Sequence, residues 1–85
     1  MTEPSITCSC CGYVTITDQF DRCPICGWIH EPVQESDPDD DMGPNRISLR
    51  QAQMNFAAFG SKQEGARNRE PTDRDKRDPN WKPLD

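Results

Sequence analysis

Apolar and β-branched residues alternate with polar ones at Ile6-Thr7 and at Tyr13-Val14-Thr15-Ile16-Thr17, and this period of two predicts the strands of a short hairpin. The same flanks recur at Phe20-Asp21-Arg22 and Trp28-Ile29-His30, which predicts a second hairpin reached through a turn at Asp18-Gln19. Periodicity then lapses. Glu31 to Asn45 holds six acids, three prolines and no base, the composition of a solvated linker. A helical period returns at Leu49, Ala52, Phe56 and Phe59, whose spacings of three, four and three put them on one stripe. Ser48 and Gln51 form a capping box before it and Gly60 a stop after it, so the pattern predicts one amphipathic helix over 48–59. The chain thus divides into an ordered part, 1–60, and a charged tail, 61–85, with seven bases and six acids. The tail is expected to be partly flexible over about 61–70. At 79–84, Trp81 and Leu84 are apolar anchors in a proline-stiffened segment, which is expected to fold back onto the body.

Eighty-five residues with 32% hydrophobic content cannot build a self-sufficient core. Domains below about 70 to 80 residues commonly need a metal or disulfides to offset chain entropy. No apolar run approaches membrane-spanning length, and Met1-Thr2-Glu3-Pro4 carries neither the basic nor the apolar segment of a secretory leader. These features predict a cytoplasmic protein with reduced thiols.

Two runs supply the staple. Cys8-Ser9-Cys10-Cys11-Gly12-Tyr13 and Cys23-Pro24-Ile25-Cys26-Gly27-Trp28 are a pair of C-x-x-C-G-aromatic turns separated by eleven residues. Two thiolates two residues apart reach one ion from a single tight turn, with glycine allowing the turn to close, and two such turns complete a tetrahedron. Cys8, Cys11, Cys23 and Cys26 are the expected ligands, with Zn2+ preferred. The turns also resemble those of rubredoxin-like domains, which hold one iron on four thiolates, so Fe is the alternative. Cys10 is adjacent to Cys11 and is expected to stay outside the shell. The fold class read from these elements is a small metal-stapled α+β protein. It comprises a zinc ribbon of two short hairpins with zinc knuckles, one amphipathic helix and an extended C-terminal tail. Tyr13 and Trp28 follow the knuckle glycines and are expected to pack over the site as core.

With these motifs in view the chain resembles the bacterial cysteine-rich CPCC family. Cys8 to Tyr13 stands at that family's Cys-Pro-Cys-Cys motif, with Ser9 in place of the proline, and Cys23 to Trp28 stands at its second cysteine pair. Asn45-Arg46-Ile47-Ser48-Leu49-Arg50-Gln51-Ala52-Gln53-Met54-Asn55-Phe56 is similar to its Asn-x-x-Ser-Leu-x-x-Ala-x-x-Asn-Phe stretch. Ile29-His30-Glu31 departs from the acids that tend to follow the tryptophan there. The resemblance names a group and supplies no mechanism.

Charge narrows the function. The net charge of -5 becomes about -7 when four thiols lose protons and one divalent ion binds. An acidic chain opposes nucleic-acid binding except where bases cluster. The expected function is therefore a non-catalytic zinc-binding module for protein-protein interaction, of immunity or regulatory type, whose acidic surface speeds encounter with a basic partner. A nucleic-acid-binding ribbon is the first alternative, through Arg67, Arg69, Arg74, Lys76 and Arg77, though intervening acids nearly cancel that patch. An iron electron carrier is the second. Catalysis finds no constellation, because His30 is the sole histidine and two complete cysteine turns leave no open metal position. The chain is expected to be a monomer without membrane contact.

Overall fold

A computed structural model of the chain describes residues 3–66 and 69–84. Met1, Thr2, Arg67 and Asp85, which entered the sequence reading, lie outside the described residues.

The first hairpin is present. Strands β1 (Ile6–Thr7) and β2 (Val14–Ile16) pair antiparallel, with Ile6 opposite Ile16 and Thr7 opposite Val14, and the irregular register between these pairs marks where the chain bends into the cysteine turn. The second expected hairpin is reduced to a single bridge between Arg22 and Ile29, supported by His30 N–H donating to Asp21 O at 2.9 Å. The reason is local: Asp21 is committed to the preceding turn, where its Oδ2 accepts from the N–H groups of Thr17 and Asp18. Phe20, at φ 67°, leaves the extended region altogether.

The acidic segment read as a linker is structured instead. Helix α1 (Pro32–Ser36) occupies its start, with the Glu31 side chain accepting from Gln34 N–H at 2.8 Å and Pro32 in the first turn, where its missing N–H costs nothing. This helix brings Gln34 inward, fully buried, and Asn45 joins it. Gln34 Nε2 donates to Asp40 O and Ile47 O, both at 3.0 Å, while Gln34 Oε1 accepts from Asn45 Nδ2 at 2.9 Å. Asn45 in turn grips the Ile29 backbone, accepting from its N–H at 2.7 Å and donating to its carbonyl at 3.0 Å. Two amides with every polar atom paired hold the 31–47 segment in place of apolar residues.

Helix α2 (Leu49–Phe59) forms where the stripe predicts it. Ser48 Oγ accepts from Gln51 N–H at 3.1 Å, but the Gln51 side chain turns forward to Asn55 and leaves the reciprocal arm of the capping box unmade. Gly60, left-handed at φ 85°, ends the helix. Leu49 and Ala52 are buried and Phe56 packs against the core, whereas Phe59 at the last turn is 47% exposed.

Beyond the helix the chain wraps back over the cysteine turns. Ser61, Lys62 and Ala66 are buried. Further on, Val14 N–H donates to Lys76 O at 2.8 Å and Tyr13 bridges Arg77, so the tail runs along the free edge of β2. Arg77 then lies between two rings, 5.3 Å from the Tyr13 centroid and 5.2 Å from that of Trp81. Trp81 Nε1 donates to Ser9 O at 3.0 Å, and Leu84 N–H donates to Gln53 Oε1 at 2.7 Å. Among the described residues no helix is long and apolar enough to cross a membrane.

Candidate metal centre

The two cysteine turns have the same internal wiring. In the first, Cys8 N–H donates to Tyr13 O and Gly12 N–H to Cys8 O, each at 2.8 Å. In the second, Cys23 N–H donates to Trp28 O at 2.8 Å and Gly27 N–H to Cys23 O at 2.9 Å. Both turns close through a left-handed glycine, φ 82° at Gly12 and 87° at Gly27, a conformation that costs other residues roughly 1–2 kcal/mol. The sequence repeats at an offset of fifteen, and the geometry repeats with it.

Each turn presents its cysteines to the other. The sulfurs of Cys8, Cys11, Cys23 and Cys26 all lie within 4.8 Å of one another, and all four residues are buried. Cys8 Sγ is 3.5 Å from Cys26 Sγ and Cys11 Sγ is 3.8 Å from Cys23 Sγ, so the close pairs cross between turns. All five cysteines are free thiols. A tetrahedral ion at the usual metal-sulfur length of about 2.3 Å would hold its ligands about 3.8 Å apart. The two close pairs, at 3.5 and 3.8 Å, lie near that spacing, and the donor set fits a thiolate-binding ion such as zinc or iron.

The crowded sulfurs of Cys8, Cys23 and Cys26 pull one another's thiols away from their ordinary range. Cys23 is pushed far below the ordinary thiol range, first by Cys11 and then by Cys26 and Cys8 as donors. Cys26 is pushed far above it, first by Cys10 and then by Cys11, and Cys8 is also raised, chiefly through Cys11 and Cys23. A divalent cation would satisfy all four sulfurs at once.

Three surrounding groups were not visible as site residues in the sequence. Thr15, on β2, donates its hydroxyl to Cys23 Sγ at 3.0 Å, and a strand threonine carries no signal of that role beyond its alternation. Lys62, only 5% exposed, donates its backbone N–H to Cys26 O at 2.8 Å and its ammonium to Asn45 Oδ1 at 3.1 Å. Burial lowers the Lys62 pKa, Arg22 lowers it further, and Cys26 and Cys10 act in the opposite sense. Lys62 stands in a segment whose composition reads as solvated tail. Gly12 and Gly27, expected as turn formers, are also roofed: a β-carbon at Gly12 would sit 2.6 Å from the Trp81 ring, and one at Gly27 would sit 2.6 Å from Ala66 O.

The fifth cysteine lies outside the four-sulfur group. Cys10 Sγ donates to Ala52 O at 3.4 Å and so ties the first turn to α2. Trp28 is buried against the cluster, with its Nε1 donating to Glu35 Oε2 at 2.9 Å, and Tyr13 is half-buried. His30 Nδ1 lies 3.0 Å from the same Glu35 oxygen and takes no part in the sulfur cluster. Two of the tail bases are engaged locally: Arg69 pairs with Asp75 at 2.7 Å and Arg77 is held by its two rings.

The family described as cysteine-rich CPCC matches the chain over residues 6–77, from β1 through the tail that covers it, and the chain belongs to that family. No curated protein matches it.

Proposed function

We propose that this member of the cysteine-rich CPCC family holds one Zn2+ on Cys8, Cys11, Cys23 and Cys26, and that the ion staples a non-catalytic interaction module in the manner of a zinc ribbon. The observation that carries the reading is the closed shell: four buried sulfurs within 4.8 Å of one another, two from each of two equivalent turns. A catalytic zinc keeps three protein ligands and an open position, whereas four cysteines leave none. A structural zinc contributes on the order of 10 kcal/mol to folding, which is the scale a core this small lacks. Free thiols in such a cluster suit the reducing cytoplasm.

The interaction role draws on the surface. Met42 and Val33, 88% and 62% exposed, stand beside the acids of 35–41, a combination that suits a basic protein partner with an apolar contact. The local pairing of Arg69 and Arg77 favours this over phosphate binding. The module acts as a monomer in this reading.

Native mass spectrometry tests the metal assignment. One zinc per chain is expected, lost on acidification with four protons regained, and protein purified without chelator that carries no metal would refute it. Elemental analysis separates zinc from iron. Salt-sensitive binding to a basic protein, weakened by Met42→Ser and Val33→Ser, is expected if the acidic face is the contact surface, and a native complex formed elsewhere on the molecule would overturn that part.

A further inference from the structure

Lys62 poses a charge problem. It is 5% exposed, its ammonium has one neutral acceptor in Asn45 Oδ1, and among the described residues no carboxylate pairs with it. That acceptor is itself shared, since Asn45 Oδ1 also accepts from Ile29 N–H at 2.7 Å. Lysines ordinarily carry their charge out to water along the flexible stem, and a charge left inside requires an opposite one nearby. The backbone of Lys62 is fixed to the site by its bond to Cys26 O, and with burial and the nearby Arg22 both working against the ammonium, the metal-loaded sulfur cluster is, among the described residues, the one anionic group this position adjoins. Four thiolates around one divalent ion carry a net charge of about -2, which is the missing counter-charge.

We propose that Lys62 is the buried counter-ion of the metal centre: held by Cys26 O and Asn45, its ammonium offsets part of the thiolate charge and strengthens the hold on the metal. The inference rests on the tetrathiolate reading above and deepens it. Lys62 touches no metal and acts through the sulfurs.

Cobalt(II) serves as the probe, because its thiolate charge-transfer absorption reports both occupancy and the electron-donating character of the sulfurs. Lys62→Gln removes the charge and keeps a donor for Asn45. Its cobalt affinity in competition with a chelator should fall roughly ten- to hundredfold, the range typical of groups that support metal ligands. If four protons replace each ion, that loss raises the pH of half-release by about 0.25 to 0.5. The charge-transfer band should also move to longer wavelength, because sulfur electrons no longer held by a nearby cation are easier to withdraw. A merely structural role for Lys62 would leave the band where it is. Lys62→Met, which fills the same volume without charge, should behave like Lys62→Gln and substitutes for it if the glutamine variant does not fold. Lys62→Arg should keep the wild-type band. Loaded variants with wild-type affinity and an unmoved band would overturn the inference while leaving the metal reading intact. A wild-type chain with no cobalt-thiolate band would remove both.

Discussion

Adding one methyl group at each of three glycines separates the work of the turns from the work of the chain that roofs them. Gly12, Gly27 and Gly65 all have left-handed backbone, at φ 82°, 87° and 81°. Alanine in that region costs roughly 1–2 kcal/mol, of which roughly 0.4–1 is regained because alanine has fewer unfolded conformations to lose. At Gly65 nothing lies within 4 Å of the added carbon, so Gly65→Ala should lose only this difference, about 1 kcal/mol. At Gly27 the new carbon meets Ala66 O at 2.6 Å and Ala66 Cβ at 2.9 Å, and neither belongs to a flexible side-chain end. The Ala66 backbone must retreat, breaking the 3.3 Å bond from Arg22 and exposing a buried residue. That adds about 1–3 kcal/mol and brings Gly27→Ala to roughly 2–4 kcal/mol. For a domain of this size each kcal/mol corresponds to about 4–8 °C in Tm, so thermal unfolding should place Gly65→Ala a few degrees below wild type and Gly27→Ala about 10–30 °C below. Free metal must be buffered equally in all samples, because any ion bound at the cysteine cluster raises Tm by mass action. Gly12→Ala displaces the Trp81 ring, so its loss should be accompanied by a change in indole fluorescence. Equal shifts for Gly65→Ala and Gly27→Ala would show that the roof bears no load and refute the argument.

Cys10→Ser should keep its metal, since a hydroxyl can still donate to Ala52 O, while Cys11→Ser should lose it; metal content after gel filtration distinguishes the two. If the cysteine cluster holds a stapling metal, a strong chelator should abolish cooperative unfolding, and near-ultraviolet circular dichroism showing a native apo-protein would argue against that role. Trp81→Ala should cost about 2–3 kcal/mol from lost burial and the Arg77 contact, and relaxation measurements should show 76–84 gaining mobility. Asp75 is held down to about 2, first by Arg69. A depressed carboxylate contributes stability that is full above its unfolded value near 3.9 and is lost progressively as pH falls from there through about 2. Thiolates regain protons well above that window, so acid unfolding should coincide with metal release, and Asp75→Asn should lower stability about equally across the pH range above 5 without adding a transition of its own.

The sequence made the cysteine cluster legible because each turn is a local device: spacing, glycine and aromatic residue lie within six consecutive positions. Helix α2 was legible for the same reason, through Ser48, Gly60 and a stripe of period 3.6. The 31–45 segment was not, because its order rests on two polar side chains, Gln34 and Asn45, whose burial depends on partners up to sixteen residues away. One clue was present in Glu31-Pro32, an acceptor followed by the residue best suited to a first helical turn. The burial of Lys62 was illegible in principle from composition, since a lysine among polar residues reads as solvent-facing until its surroundings are known. The exposure of Phe59 was equally hidden, because a periodic stripe says which residues share a face and is silent on where the opposing surface ends.

The run of Lys76 and Arg77 along β2 has a consequence for solubility. A two-stranded sheet has two open edges, and strand edges rich in β-branched residues recruit further strands from other molecules. Here the outer edge of Val14–Ile16 is already occupied at its start, by the Lys76 carbonyl and the Tyr13 to Arg77 bridge, and the occupying segment brings two exposed bases to that edge. A chain shortened to end before Lys76 would bare that edge while keeping all four cysteines of the cluster. Its failure should appear first as concentration-dependent association, visible by light scattering, with the metal still bound.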